Sequence, residues 1–227
     1  MKIAEIFYSI QGEGILAGVP SVFVRTSGCN LRCVWCDTPH TSWKPEGREI
    51  GLDEILSEVS SYSGAHVVVT GGEPMIAEEI VELTKRLKES GLHITIETAG
   101  TVAKPVICDL MSISPKLANS TPHEREGGRW AAQHDRLRHQ PEVLKTLMSD
   151  YEYQLKFVVA QPEDLKEIAA ILEETDADRG RVVLMPEGID AATLRERSRW
   201  LVEVCKREKF RYGPRLHIDL FGNLRGV

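Results

Sequence analysis

Apolar, β-branched runs alternate with amphipathic stretches along most of the 227-residue chain. Six runs predict strands: SVFVRT (21–26), HVVVTG (66–71), HITIET (93–98), VICDLMSIS (106–114), YQLKFVV (153–159) and RVVLMP (181–186). Several are continuously apolar rather than alternating, as befits strands of a parallel sheet covered by helices. Between them, LDEILSEVSSY (52–62), EEIVELTKRLKES (78–90), PEDLKEIAAILEET (162–175) and DAATLRERSRWLVEVCKRE (190–208) predict helices. In the second, Ile80, Leu83 and Leu87 recur at spacings of three and four with charges between them. Pro162 and Asp190 are suited to start the last two helices.

About six βα units result, short of the eight that close a TIM barrel. The expected fold is therefore α/β: a partial (β/α)6, TIM-like barrel forming one domain over residues 1–227. AEIFYSI (4–10) and RLHIDLFG (215–222) are expected to add small N- and C-terminal edge strands. The segment 116–140, rich in charge and histidine, reads as a loop or lid. In such folds chemistry collects at the C-terminal ends of the strands. That places four segments on one face: the cysteine loop after SVFVRT, GGEP after HVVVT, ETAGT after HIT and SPK after MSI.

Composition narrows the classes. A net charge of -6 argues against broad nucleic-acid binding. No run is long enough to span a membrane, and MKIAEIFYSI lacks a signal peptide's apolar stretch, so a cytoplasmic protein is expected. Of five cysteines, three fall within TSGCNLRCVWCDTPHT (26–41). An odd, clustered set is no disulfide framework; it points to a metal centre. Cys108 and Cys205, in apolar surroundings, read as inert core residues.

Cys29, Cys33 and Cys36, spaced C-x-x-x-C-x-x-C, suit a four-iron cluster with one iron left open to a ligand. The same loop also allows zinc on Cys29, Cys33, Cys36 and His40. TGGEP (70–74) ends an apolar strand with paired glycines, which expose backbone groups to close approach.

Together, C-x-x-x-C-x-x-C and G-G-E-P in a partial βα barrel resemble the radical S-adenosylmethionine superfamily. Within it, SIQGEG (9–14) and FVRTSGCNLRCVWCDT (23–38) resemble the 7-carboxy-7-deazaguanine synthase family, with SISPK, LKFVV and YGPRLHIDLFGNLRGV extending the similarity over nearly the whole chain. The resemblance implies conversion of 6-carboxy-5,6,7,8-tetrahydropterin to 7-carboxy-7-deazaguanine with loss of ammonia, on the route to queuosine and related deazapurines. It implies that a 5′-deoxyadenosyl radical takes hydrogen from C6 and that this hydrogen is later returned, so the cofactor is regenerated.

Further implications attach to individual residues. Cys29, Cys33 and Cys36 would hold a 4Fe-4S cluster, and Thr38 would ligate Mg2+. Trp35, Cys36, Asp37, Gly72, Ser114, Pro115 and Lys116 would contact S-adenosylmethionine, with Trp35 near the adenine. Ile10, Gln11, Gly12, Glu13, Arg25 and Thr70 would line the pterin, with Glu13 and Arg25 as its catalytic pair. A carboxylate suits the donors of an amino-pyrimidinone edge, and a guanidinium fork suits the substrate's acid group. Glu97 is a further candidate, toward the ribose. Expected partners are the pterin, a second copy of the chain, and a reductant such as flavodoxin or ferredoxin, with no membrane or direct nucleic-acid partner. Two other readings remain: an activase that installs a glycyl radical on a protein partner, and a non-catalytic zinc module.

Overall fold

A computed structural model describes all residues from Met1 to Val227. Nine strands form one open sheet: β1 (Lys2–Ile10), β2 (Pro20–Thr26), β3 (Arg48–Glu49), β4 (His66–Gly71), β5 (His93–Thr98), β6 (Leu110–Ile113), β7 (Tyr153–Val159), β8 (Val182–Pro186) and β9 (Arg211–Tyr212), in the order β3-β1-β2-β4-β5-β6-β7-β8-β9. Neighbours from β2 to β9 run parallel; β1 pairs antiparallel with both β2 and β3. The six predicted strands are thus the parallel core of an unclosed barrel, extended at each end.

The helices are α1 (Pro39–Ser42), α2 (Leu52–Ser60), α3 (Ile80–Glu89), α4 (Ala131–Arg138), α5 (Pro141–Asp150), α6 (Asp164–Thr175), α7 (Ala191–Glu208) and α8 (Leu216–Phe221). In α3, Ile80, Leu83 and Leu87 are fully buried, as their spacing requires. Asp190 caps α7 by accepting from the N–H groups of Ala192 and Thr193 at 3.1 and 2.9 Å. α6 begins two residues after Pro162, at Asp164, whose carboxylate closes the turn from β7 by accepting from Ala160 N–H at 2.8 Å.

Three expectations change. RLHIDLFG is not an edge strand: the C-terminal strand is the two-residue β9, and Leu216–Phe221 is helical. Pro214 has no N–H to continue the ladder, and the amide of Leu216 is taken at 2.9 Å by the carbonyl of Gly12 across the barrel mouth. The segment 116–140 is no simple loop, because α4 lies within it. Finally, of the roughly six βα units counted from the sequence, the one between β5 and β6 contains no helix. An extended segment replaces it, held by the Tyr151 hydroxyl donating to Lys104 and Val106 carbonyls at 3.2 and 3.1 Å.

Candidate active site

The C-terminal ends of the strands surround a cavity of about 470 Å³. Every residue singled out above for substrate, cofactor or metal lines it except Pro115, which is buried in the turn between Ser114 and Lys116.

The cysteine loop is fastened mainly through its backbone. Gly28 N–H donates to Thr41 O at 2.8 Å, Trp43 Nε1 to Cys33 O at 2.9 Å and Val34 N–H to Ser120 O at 2.8 Å. A histidine that sequence reasoning missed adds a further tie. His134 Nδ1 accepts from the Arg32 N–H at 3.0 Å, and Nε2 lies 2.9 Å from Ser120 Oγ. Because Ser120 Oγ donates to Leu117 O, Nε2 must carry the proton, making His134 the neutral tautomer. Burial pushes its pKa down to about 4.

No three of His, Cys, Asp and Glu converge closely enough for a single metal ion. His40 Nε2 faces Glu5 Oε1 at 3.6 Å, so the four-ligand zinc site is not formed. The donor set fits a multi-iron cluster instead: Cys29, Cys33 and Cys36 are free thiols around one cavity. Leu31 N–H donates to Cys29 Sγ at 3.4 Å, and Ser42 Oγ lies 3.2 Å from Cys36 Sγ; hydrogen bonds to sulfur of this kind support a bound cluster. Burial pushes the Cys33 thiol up to about 12 and raises Cys29 also, a cost that a cationic centre offsets by deprotonating its ligands.

The paired glycines have an unanticipated reason. A Cβ on Gly72 would sit 2.1 Å from Gly28 O and 2.8 Å from Thr41 O; one on Gly71, at φ 136°, would meet Thr26 O at 2.1 Å. They let the end of β4 pack against the backbone of the cysteine loop. Glu73 then binds β4 to β5, accepting from Thr98 Oγ1 and Ala99 N–H at 2.8 Å each and from Met75 N–H at 3.1 Å.

Opposite the cysteines lies a buried charge network. Glu13 is held between Lys156, on its Oε2, and Arg215, whose Nε donates to Oε1 at 3.0 Å. Burial opposes its ionisation, but the charges of Lys156 and Arg215 outweigh that and hold it well below the usual carboxylate range. Arg215 also pairs with Asp37, beside Cys36. Glu97 accepts from Gln11 Nε2 at 3.1 Å and from Thr70 Oγ1 at 2.8 Å, linking the ends of β1, β4 and β5. Arg25 donates through Nε to Glu5, its cross-strand partner, at 2.7 Å. Lys116 Nζ donates to Ser114 Oγ at 2.8 Å and lies 5.8 Å from the centre of the Trp35 ring.

Lys156, Arg215, His217 and the tail from Asn223 to Val227 line the cavity without having been anticipated as site residues. Lys156 carried a readable signal. With Gln154 it forms a polar stripe at period two through an otherwise apolar central strand, and such a stripe must face something polar. Arg215 carried none, since nothing local in GPRLH distinguishes it from a surface arginine.

Comparison with known proteins agrees with this geometry. The Radical SAM superfamily pattern matches residues 23–118. The chain is 48% identical to 7-carboxy-7-deazaguanine synthase of Halobacterium salinarum, across 98% of this chain and 91% of that protein. It is 45% identical to the enzyme of the same name from Rhodopirellula baltica, across 100% and 89%. The crystal structure of QueE from Escherichia coli superposes with a TM-score of 0.72 at 26% identity, covering 95% of this chain and 94% of that one. With identity at this level along nearly its whole length, the chain belongs to the 7-carboxy-7-deazaguanine synthase family of radical S-adenosylmethionine enzymes.

Proposed function

We propose that the chain converts 6-carboxy-5,6,7,8-tetrahydropterin to 7-carboxy-7-deazaguanine with loss of ammonia, regenerating S-adenosylmethionine in each cycle. The observation that carries this reading is a single cavity with the three-cysteine loop on one side and the Glu13, Arg25, Thr70 and Glu97 polar group on the other. The 4Fe-4S cluster and S-adenosylmethionine of the family supply hydrogen abstraction at the pterin C6. The residues of the chain bind and orient. Ionised Glu13, with Gln11 and Gly12, would accept the amino-pyrimidinone N–H edge, flanked by Ile10 and Thr70. Arg25 would take the substrate's carboxylate, exchanging part of its pairing with Glu5. Trp35, Asp37, Gly72 and the Ser114–Lys116 turn would frame the cofactor.

We assign Mg2+ to Thr38. Its side chain makes no capping bond to α1; Oγ1 stands at the cavity wall with only a long contact to Cys36 Sγ at 3.8 Å, which a hard cation that keeps several waters and substrate oxygens could displace. Reduction of the cluster requires an external one-electron donor such as flavodoxin or ferredoxin, and we take the enzyme to be a cytoplasmic homodimer. No helix is long and apolar enough to cross a membrane. One continuous sheet from Lys2 to Tyr212 supports reading residues 1–227 as a single domain.

The test is anaerobic incubation of iron-reconstituted protein with the pterin, S-adenosylmethionine, Mg2+ and dithionite, and no protein partner. Formation of 7-carboxy-7-deazaguanine, identified by mass, supports the reading. Cofactor cleavage without a pterin product would direct attention to the glycyl-radical activase alternative.

A further inference from the structure

Arg215 spans the cavity from the pterin side to the cofactor side. Its Nε donates to Glu13 Oε1 at 3.0 Å, its Nη1 to the carbonyl of Gly188 at 2.6 Å, and its Nη2 to Asp37. These partners lie in three separate loops: Glu13 after β1, Asp37 directly after Cys36, and Gly188 after β8. The Arg215 side chain is only 6% exposed and that of Glu13 13%, so solvent does little to screen this pair; Asp37, at 38%, is its more hydrated partner. The anchor beneath it is firm. Leu216 N–H donates to Gly12 O at 2.9 Å, and the His217 ring occupies the space where a Cβ on Gly12 would come within 2.0 Å of Nδ1.

A guanidinium presents its N–H groups in one rigid plane, so the angles at which it meets two carboxylates are not independent. Lys156 grips the other oxygen of Glu13, and the Gly188 carbonyl fixes the third corner of the fork. A shift of Asp37 on cofactor binding must therefore alter how Glu13 is presented, and a shift of Glu13 must alter Asp37.

We propose that Arg215 is a positioning residue that couples the two ligand sites, holding Glu13 in register with Asp37 so that each ligand prepares the site of the other. This rests on the function proposed above for the placing of the pterin at Glu13. Linkage makes the coupling reciprocal: S-adenosylmethionine must tighten the pterin by the same factor as the pterin tightens S-adenosylmethionine. Lysine cannot replace the arginine, because a single ammonium lacks the fork that meets both carboxylates at fixed angles.

The experiment uses full-length, iron-reconstituted protein under anaerobic, non-reducing conditions. Dissociation constants for S-adenosylmethionine and pterin are measured by calorimetry, each with and without the other. In the parent, each ligand should tighten the other at least about 5-fold, the lower end of ordinary site coupling. In Arg215→Lys, both factors should fall to within about 2-fold of unity, and under turnover the ratio of 5′-deoxyadenosine to product should rise. A merely structural role would weaken both ligands and leave the coupling factor intact; that result, or a parent with no coupling, overturns the proposal.

A second cycle needs no pterin. Glu13→Gln should weaken S-adenosylmethionine about 3-fold or more in the parent and have no further effect in Arg215→Lys. An unchanged cofactor affinity in Glu13→Gln overturns the coupling. A parent that binds the cofactor normally but not the pterin overturns the substrate assignment instead, and the Glu13 cycle still decides the role of Arg215.

Discussion

Adding one methyl group at Gly72 separates two explanations of the paired glycines. If Gly72 serves only to admit a ligand, Gly72→Ala should weaken S-adenosylmethionine and leave the empty protein as stable as before. The geometry says otherwise, since the new Cβ would lie 2.1 Å from Gly28 O and 2.8 Å from Thr41 O. Overpacking costs about 1–3 kcal/mol when neighbouring groups can move. Here both obstacles are backbone carbonyls, and Gly28 is further held by its own N–H bond to Thr41 O, so the upper figure of about 3 kcal/mol applies. Replacing glycine also restricts the unfolded chain, which returns roughly 0.4–1 kcal/mol. The net loss is about 2–2.5 kcal/mol, or roughly 4–10 °C in the melting midpoint for a chain of this size. The assay is thermal unfolding of reduced, cluster-free protein followed by far-UV circular dichroism, with iron content after reconstitution as the second reading. Both should fall, because the displaced carbonyls belong to the cysteine loop. A midpoint within a degree of the parent, with impaired cofactor binding alone, would falsify the packing argument.

Other perturbations give sharper local readings. Cys33→Ala should abolish iron loading measured by metal analysis, whereas His40→Ala should retain it, since His40 faces Glu5 rather than the sulfurs. Thr38→Ala should blunt the response of turnover to added Mg2+ while cluster content stays near that of the parent; Thr38→Ser should restore most of the response, and an alanine variant with the parent's titration curve would remove Thr38 from the metal site. His134 titrates at about 4 when folded, because burial disfavours its charge, against about 6.5 unfolded, so the unfolded chain binds more protons between those values. Stability should therefore fall as pH drops from 6.5 toward 4, by up to about 3 kcal/mol, and urea titrations of His134→Gln should show that part of the slope removed.

What could be read in advance followed from how local each signal is. The six core strands announce themselves through consecutive buried residues such as Val67, Val68 and Val69, and the clustering of Cys29, Cys33 and Cys36 declares a metal centre, although G-G-E-P is needed beside it to choose iron over zinc. Helix α4 was hidden because only His134 on it is buried, and α5 because its buried residues are just Leu144 and Leu147. HIDLF alternates like a strand, yet only Ile218 is buried in α8, and a contact with distant Gly12 decides its conformation. The substrate side divides in the same way. Glu13 lies within a motif and Lys156 shows in the sequence only that its strand faces something polar, whereas Arg215 becomes meaningful only when the C-terminal segment arrives beside Glu13. The Gly-Gly pair shows a subtler limit: the sequence signals close approach at that point without naming what approaches.

The stitching of Arg215 to Glu13 and of Leu216 to Gly12 has a temporal consequence. The first pair is separated by 202 positions in the chain. During synthesis the N-terminal strands and the cysteine loop leave the ribosome long before the segment that completes the cavity, at roughly 5–20 residues per second. A nascent chain can thus present its three thiols while Glu13 still lacks its arginine. The pocket is complete only once the segment around Arg215 has been translated and has docked on Gly12 and Glu13. Cleavage near Gly213 would leave the cysteine loop standing beside a substrate pocket that never matures.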